Sequence, residues 1–214
     1  MESSAATTTV FVVDDDASFL RSVVRFLKAA GYFAQGFESA QAFLGQLSPE
    51  ANGCVIVDLR MPELGGLDLQ ARLSGGHNPL PIIFLTGEGD IPTSVTAMRR
   101  GAEDFLTKTA PKEKLMAAVE RALARNKFER KKRNRELELK KLFSRLTDRE
   151  LEILRHVVQG RLNKQIAAAC GINERTVKLH RTNLTRKLGV VSAAGLTSLA
   201  NEAGLFPAPA THPL

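Results

Sequence analysis

The sequence has no run of about 18 apolar residues, the length that a membrane-spanning helix requires. Its opening residues, MESSAATTT, lack both the basic start and the apolar middle of a secretion signal. Together these shortages point to the cytoplasm. Cysteine is nearly missing too: Cys54 and Cys170 are the only two in 214 residues, each inside an apolar stretch. Their number and spacing support neither a disulfide framework nor a zinc site, and two small buried hydrophobes are expected. The four histidines, His77, His156, His180 and His212, show no metal-ligand spacing among them. No internal repeat is visible.

Charge is present and unevenly placed. Residues 1–122 carry 11 Lys and Arg against 15 Asp and Glu, whereas residues 123–214 carry 19 against 8. An acidic front and a strongly basic back indicate two modules with different partners, the basic one a candidate for nucleic acid.

In the front module, strand-like runs at Val10–Val13, Tyr32–Phe37, Cys54–Val57, Ile82–Leu85 and Asp104–Leu106 alternate with helical patterns. The helices are expected near Ser18–Ala30, Ser39–Leu47, Gly66–Leu73, Pro92–Arg100 and Pro111–Ala124. This alternation predicts an α/β doubly wound, five-stranded parallel sheet covered on both faces. The runs VFVV, CVIV and IIFL are continuously apolar, as central parallel strands should be.

The first of these strands ends in three carboxylates, VFVVDDD. Two unit charges about 4 Å apart repel by roughly 4 kcal/mol at an effective dielectric near 20, so something positive is expected there. In an open parallel sheet, ligands bind beyond the carboxyl ends of the strands. Asp14 and Asp15 follow the first strand, Asp58 the third, Thr86 ends the fourth and Lys108 follows the fifth. Three carboxylates, a hydroxyl and an ammonium suit a hard divalent cation, Mg²⁺ in kind, together with a phosphoryl group. Asp16 is expected to cap the following helix.

The segments VVDDD, VDLRMPELGG, LTGEGD and DFLTK, in this order and spacing, resemble the receiver domain of two-component response regulators, over residues 8–123. The resemblance implies a flavodoxin-like fold and assigns roles residue by residue. Asp58 is the phosphoacceptor, assisted by Thr86 and Lys108. Asp15 and Asp58 ligate Mg²⁺ directly, Asp14 acts largely through water, and the Arg60 carbonyl completes the set. Thr86 and Phe105 form the switch. A phosphohistidine on a sensor histidine kinase is the implied donor, and the protein is expected to be a phosphoacceptor with at most slow self-dephosphorylation, not an enzyme. One departure is KTAP, where Thr109 stands in place of the family's usual proline after Lys108. Arg60 and Glu88 are also expected to pair across the phosphate and slow attack by water.

Residues 124–143 are read as a charged helical linker. From 125 to 143 they hold 12 charged side chains in 19 and neither Gly nor Pro. Phe128, Arg135 and Leu142 fall seven apart, but the central Arg argues against a coiled-coil seam. Beyond the linker, Thr147 and Glu150 form a capping box, with Leu151, Leu154, Val157 and Val158 on one helical face and Gly160 at the helix end. Helices at about Asn163–Cys170 and Glu174–Leu188 flank a GIN turn, which is helix-turn-helix grammar. In the third helix Val177, Leu184 and Leu188 face inward, whereas Lys178, Arg181, Thr182 and Thr185 cluster opposite.

LTDRE, LNKQIA, TVKLH and NLTRKLGV resemble the LuxR-type helix-turn-helix over residues 144–206. That resemblance places Lys178, Leu179 and Thr182 at bases, Lys164, Arg181 and Lys187 at phosphates, and the helix near Ala193–Ala203 at a dimer contact. Residues 207–214 are expected to form a disordered tail. Both halves together are similar to response regulators of the NarL/FixJ type. The implied protein is a transcription factor, expected to be an activator, in which phosphorylation promotes homodimerisation and binding to double-stranded promoter DNA, with RNA polymerase a further partner. Two rivals remain at this point. One is a Mg²⁺-dependent phosphohydrolase of the haloacid-dehalogenase type, whose DxD nucleophile on the first strand is not matched here. The other is a regulator that uses its receiver only as a dimer interface.

Overall fold

Side-chain alternation decides where each strand of the front module buries its residues. In the computed structural model, which describes residues 7–76, 79–87 and 91–206, five strands form one parallel sheet. They are β1 (Thr9–Val13), β2 (Phe33–Phe37), β3 (Gly53–Val57), β4 (Ile82–Thr86) and β5 (Asp104–Thr107), in the order β2-β1-β3-β4-β5. Five helices follow the strands in turn: α1 (Ala17–Ala29), α2 (Ala40–Gln46), α3 (Gly66–Ser74), α4 (Ile91–Arg99) and α5 (Lys112–Phe143). This is the expected fold class. Glu88, His77, His212 and the tail at 207–214 lie outside the described residues, so the Arg60–Glu88 pairing has no geometry to report.

Every residue of β3 and β4 is buried, in keeping with their continuous apolar runs. Val55, Val57 and Phe84 point to one face, where they pack with Phe43 of α2, Leu69 and Leu73 of α3 and Ala97 of α4. Cys54, Ile56, Ile83 and Leu85 point to the other, against Leu20, Val23 and Leu27 of α1 and Leu115, Val119 and Ala122 of α5. Each fully buried side chain of this size stabilises the fold by roughly 1.5–3 kcal/mol relative to its exposed state. Two layers of helix thus fix the sheet from both sides and leave its strand ends free to carry polar residues.

The chain divides into two compact units, residues 1–130 and 131–214. Helix α5 does not stop near Ala124 but continues to Phe143. Within the first unit the Oδ1 of Asn126 accepts the Gly53 amide at 3.1 Å, and the Arg130 guanidinium donates to the carbonyls of Glu50 and Ala51 at 3.0 and 2.8 Å. Leu139 and Phe143 enter the core of the second unit instead. The stretch read as a solvated linker therefore supplies packing to both units, while Phe128 and Leu137 stay exposed. With Phe128 in solvent and Arg135 ion-paired to Glu202, the seven-residue spacing forms no apolar seam.

The second unit adds α6 (Asp148–Val158), α7 (Asn163–Cys170), α8 (Glu174–Leu188) and α9 (Ala193–Glu202). Its core gathers Leu146, Ile153, Leu154, Val157, Ile166, Val177, Leu184, Leu188, Leu196 and Ala200 around Leu139 and Phe143. Leu151 and Val158 are only partly buried, and Ile153 takes the central place on α6. The expected capping box is formed: the Thr147 hydroxyl accepts from the Glu150 amide, and Glu150 Oε2 accepts from the Thr147 amide at 2.8 Å.

Candidate functional site

Strand register brings the polar strand ends together. Val13 of β1 is level with Val57 of β3, so Asp14 and Asp58 leave the sheet side by side, and the Asp58 amide donates to Val13 O at 2.9 Å. This is where the strand order reverses, the crevice at which open parallel sheets bind ligands. Val57 is level with Phe84, which puts Asp58 one residue short of Thr86, and Thr86 is level with Thr107. The Lys108 amide then donates to Thr86 O at 2.7 Å, holding the lysine at the same end of the sheet.

The charge expected at the acidic tip is the Lys108 ammonium. Its Nζ lies 2.7 Å from Asp14 Oδ2 and 2.7 Å from Asp58 Oδ2, and also sits over the Phe19 ring, 4.6 Å from its centroid. Burial pushes the Asp14 carboxyl above its ordinary range, against the opposing pull of Lys108. For Lys108 burial acts downward, but hydrogen bonds to Asp14 and Asp58 outweigh it and the ammonium is held more tightly than in a free lysine. Asp14 Oδ1 accepts the Asp16 amide at 2.9 Å. Asp16 itself turns away to cap α1, accepting from the amides of Ser18 and Phe19, as its place in the sequence predicts.

Asp14, Asp15 and Asp58 each offer a carboxylate oxygen, and these oxygens lie within 4.8 Å of one another. Such an all-oxygen set, two members buried and Asp15 exposed, fits a hard cation that keeps part of its water shell. The Arg60 amide approaches Asp58 Oδ1 at 3.4 Å, which folds the chain after β3 back over the carboxylate and keeps Arg60 beside the cluster. Gly66, the first residue of α3, is there for room: a Cβ on it would stand 2.5 Å from Asp58 O and 3.0 Å from the Phe84 ring. Sequence reasoning did not single it out, although GLDL directly after a strand-end loop was visible.

Thr86 is buried at 1% exposure and Phe105 is partly buried, its ring 5.8 Å from that of Phe84. Thus the two residues expected to form the switch lie on neighbouring strands, Thr86 on β4 and Phe105 on β5. No cis peptide occurs among the described residues, so the Lys108–Thr109 bond is trans.

On the second unit, the left-handed Gly171 (φ +64°) ends α7 and Asn173 caps α8 through its Oδ1, 2.8 Å from the Thr176 amide. Lys164, Lys178, Leu179 and Thr182 are exposed, Leu179 at 60%. An exposed leucine between basic and hydroxyl side chains on a helix is suited to the base edges and methyl groups of a major groove. Arg181 is half-buried and donates to Asn163 Oδ1 at 3.0 Å, so it ties α8 to α7. Lys187 differs from expectation. Its ammonium donates to Glu150 Oε2 at 2.6 Å and Arg145 O at 3.1 Å, so it holds a buried acid inside the domain and does not reach outward to a phosphate. The reason is Glu150, which the capping box pulls into the core and which then needs a cation. His180 is half-buried with its Nδ1 enclosed and unpartnered, a packing position.

Comparison with known proteins agrees with both halves. The family described as the response regulator receiver domain matches residues 10–120, and that of bacterial regulatory proteins of the luxR family matches residues 144–200. The response regulator protein TodT of Pseudomonas putida is 40% identical over 187 residues, covering 87% of this chain and 82% of its own. The transcriptional regulatory protein FixJ of Bradyrhizobium diazoefficiens is 35% identical over 197 residues, covering 92% of this chain and 96% of its own. Among solved structures, the response regulator StyR superposes with a TM-score of 0.86 at 42% identity, over 92% of this chain and all of that one.

Proposed function

Because this chain belongs to the response regulator transcription factors that join a receiver domain to a LuxR-type DNA-binding domain, we propose that Asp58 is its phosphoacceptor. The observation that carries this reading is the meeting of Asp14, Asp58 and Lys108 at the ends of three strands, with both lysine contacts at 2.7 Å. A carboxylate oxygen of Asp58 attacks phosphorus in line with the leaving group. The P–N bond of a kinase phosphohistidine breaks, its electron pair returns to the imidazole, which takes a proton from water, and an acyl phosphate remains on Asp58.

Asp14, Asp15, Asp58 and the Arg60 carbonyl would hold Mg²⁺, which supplies neutralising charge to the equatorial phosphoryl oxygens. Lys108 exchanges Asp58 Oδ2 for a phosphoryl oxygen and keeps Asp14 as its second partner. The Thr86 hydroxyl donates to another phosphoryl oxygen, and Phe105 follows it inward beside Phe84. Remodelling of the α4–β5 surface then favours a homodimer, whose two α8 helices read successive turns of promoter DNA and gain effective concentration from being joined. We read the protein as a cytoplasmic activator that contacts RNA polymerase. It is a phosphoacceptor with slow self-dephosphorylation and not a turnover catalyst.

The test is intact mass after incubation with a small acyl phosphate donor and Mg²⁺. The parent is expected to gain one phosphoryl group and the Asp58→Asn protein none. A gain of equal size in both would remove Asp58 from the account, and turnover of an added phosphomonoester at about 1 s⁻¹ or faster would favour a phosphohydrolase.

A further inference from the structure

Spacing in the sequence separates Glu152, His156 and Cys170, but folding brings them together. Glu152 and His156 are four residues apart on α6 and share one face of it, and Cys170 is the last residue of α7. A carboxylate oxygen, a ring nitrogen and the thiol sulfur of these three lie within 4.8 Å of one another. The cluster is far in chemistry from the all-oxygen set of the first unit, since it combines S, N and O donors.

The surroundings are arranged around these groups. Arg149 donates through Nη1 to Glu152 Oε2 and through Nη2 to the Cys170 carbonyl, so one guanidinium fixes both helices that carry the cluster. Glu152 keeps a second carboxylate oxygen, and a ligating carboxylate oriented by an outer hydrogen bond is the usual design of a metal site. The Nδ1 of His156 is buried and has no hydrogen-bond partner. The Cys170 thiol is half-buried and donates to Glu152. By contrast, Cys54 is fully buried in β3 of the other unit.

We propose that Glu152, His156 and Cys170 form a binding site for a borderline-soft divalent cation of the zinc class. Thiolate and imidazole select such a cation over Mg²⁺. Three protein ligands leave the fourth tetrahedral position to water. Tetrahedral donors around zinc lie about 3.3–3.8 Å apart, so closure asks for side-chain movements of roughly an ångström. The bound cation would link α6 to α7, the helix that precedes recognition helix α8.

The experiment titrates Co²⁺ into the full-length chain in excess Mg²⁺, which keeps the Asp14 cluster occupied by a hard cation. The expected signal is a thiolate-to-cobalt charge-transfer band in the near ultraviolet that saturates at about one equivalent per chain. Cys170→Ser should abolish it, Cys54→Ser should leave it unchanged, and His156→Gln and Glu152→Gln should each weaken Co²⁺ binding by more than about tenfold. Zn²⁺ should displace the cobalt. A missing band in the parent, or a band that survives Cys170→Ser, would overturn the proposal. Should Cys170→Ser fail to fold by circular dichroism, an unchanged titration in both His156→Gln and Glu152→Gln overturns it equally. None of these outcomes bears on Asp58, whose phosphorylation is read by mass.

Discussion

Lys108 neutralises two buried carboxylates at once, and the side chains at this pocket were the most legible part of the sequence. VDD, VD, LT and LTK each end a strand, and strand ends converge by topology, so residue type and place together indicated the site. Lys108→Ala leaves Asp14 and Asp58 facing one another without a cation. Because Lys108 retains 18% side-chain exposure, the loss is set below that of a fully buried pair, at about 2–4 kcal/mol. Urea unfolding at pH 7 checks it, and excess Mg²⁺ should restore part of the loss by standing in for the ammonium. Glu150 and Lys187 were not legible in the same way. LTDRE shows a cap, but that the cap glutamate is buried and captures a lysine 37 residues away depends on packing. Burial works to raise the Glu150 carboxyl, but Lys187 and then Thr147 outweigh it and hold it below the ordinary glutamate value. A depressed acid stabilises the fold above its unfolded pKa and loses that contribution as pH falls through the folded one. The stability difference between parent and Glu150→Gln, measured by urea unfolding of the second unit, should therefore be full above pH about 4.5 and shrink below it.

Among the elements, all five strands and the cores of the helices could be read from the sequence, because β1, β3 and β4 carry nearly continuous apolar runs, and β2 and β5 keep apolar residues between helical patterns. The helical character of residues 124–143 was legible too, but the packing of α5 was not. Its charged middle masks single apolar residues such as Leu139 and Phe143, whose partners are supplied by helices far along the chain. At the β3–α3 junction, Gly66→Ala would drive a methyl into Asp58 O and the Phe84 ring, and overpacking of this kind costs about 1–3 kcal/mol. The variant should unfold earlier in urea and also accept phosphate more slowly in a mass time course, since the backbone it displaces carries Asp58. In the basic unit, exposure separates two lysines that are both expected at phosphates: Lys164 is exposed, whereas Lys187 is held by Glu150. Lys164→Ala should reduce the log-log salt slope of DNA binding by about 0.9, the value for one neutralised phosphate. Lys187→Ala should leave the slope unchanged and lower the stability of its domain, as fluorescence anisotropy across a salt series and urea unfolding would show.

For the whole molecule, the sequence carries its plan in its charge: an acidic front with three carboxylates at one pocket, and a basic back that exposes Lys164 on α7 and Lys178 on α8. No described helix is long and apolar enough to cross a membrane. One unit gives way to the other between residues 130 and 131, inside the stretch read as a linker, and α5 runs through this point without a break. The central claim is that phosphate on Asp58 governs the grip of α8 on DNA. Its most direct test is the affinity of the full-length chain for a duplex selected from random sequences with the phosphorylated protein. Parent and Asp58→Asn chains are compared, each with and without acyl phosphate donor and Mg²⁺. The account predicts that the donor tightens binding of the parent by at least about tenfold, as joining two modules should, and leaves Asp58→Asn unmoved. Equal affinity of the parent in both conditions, or the same tightening in Asp58→Asn, would contradict it.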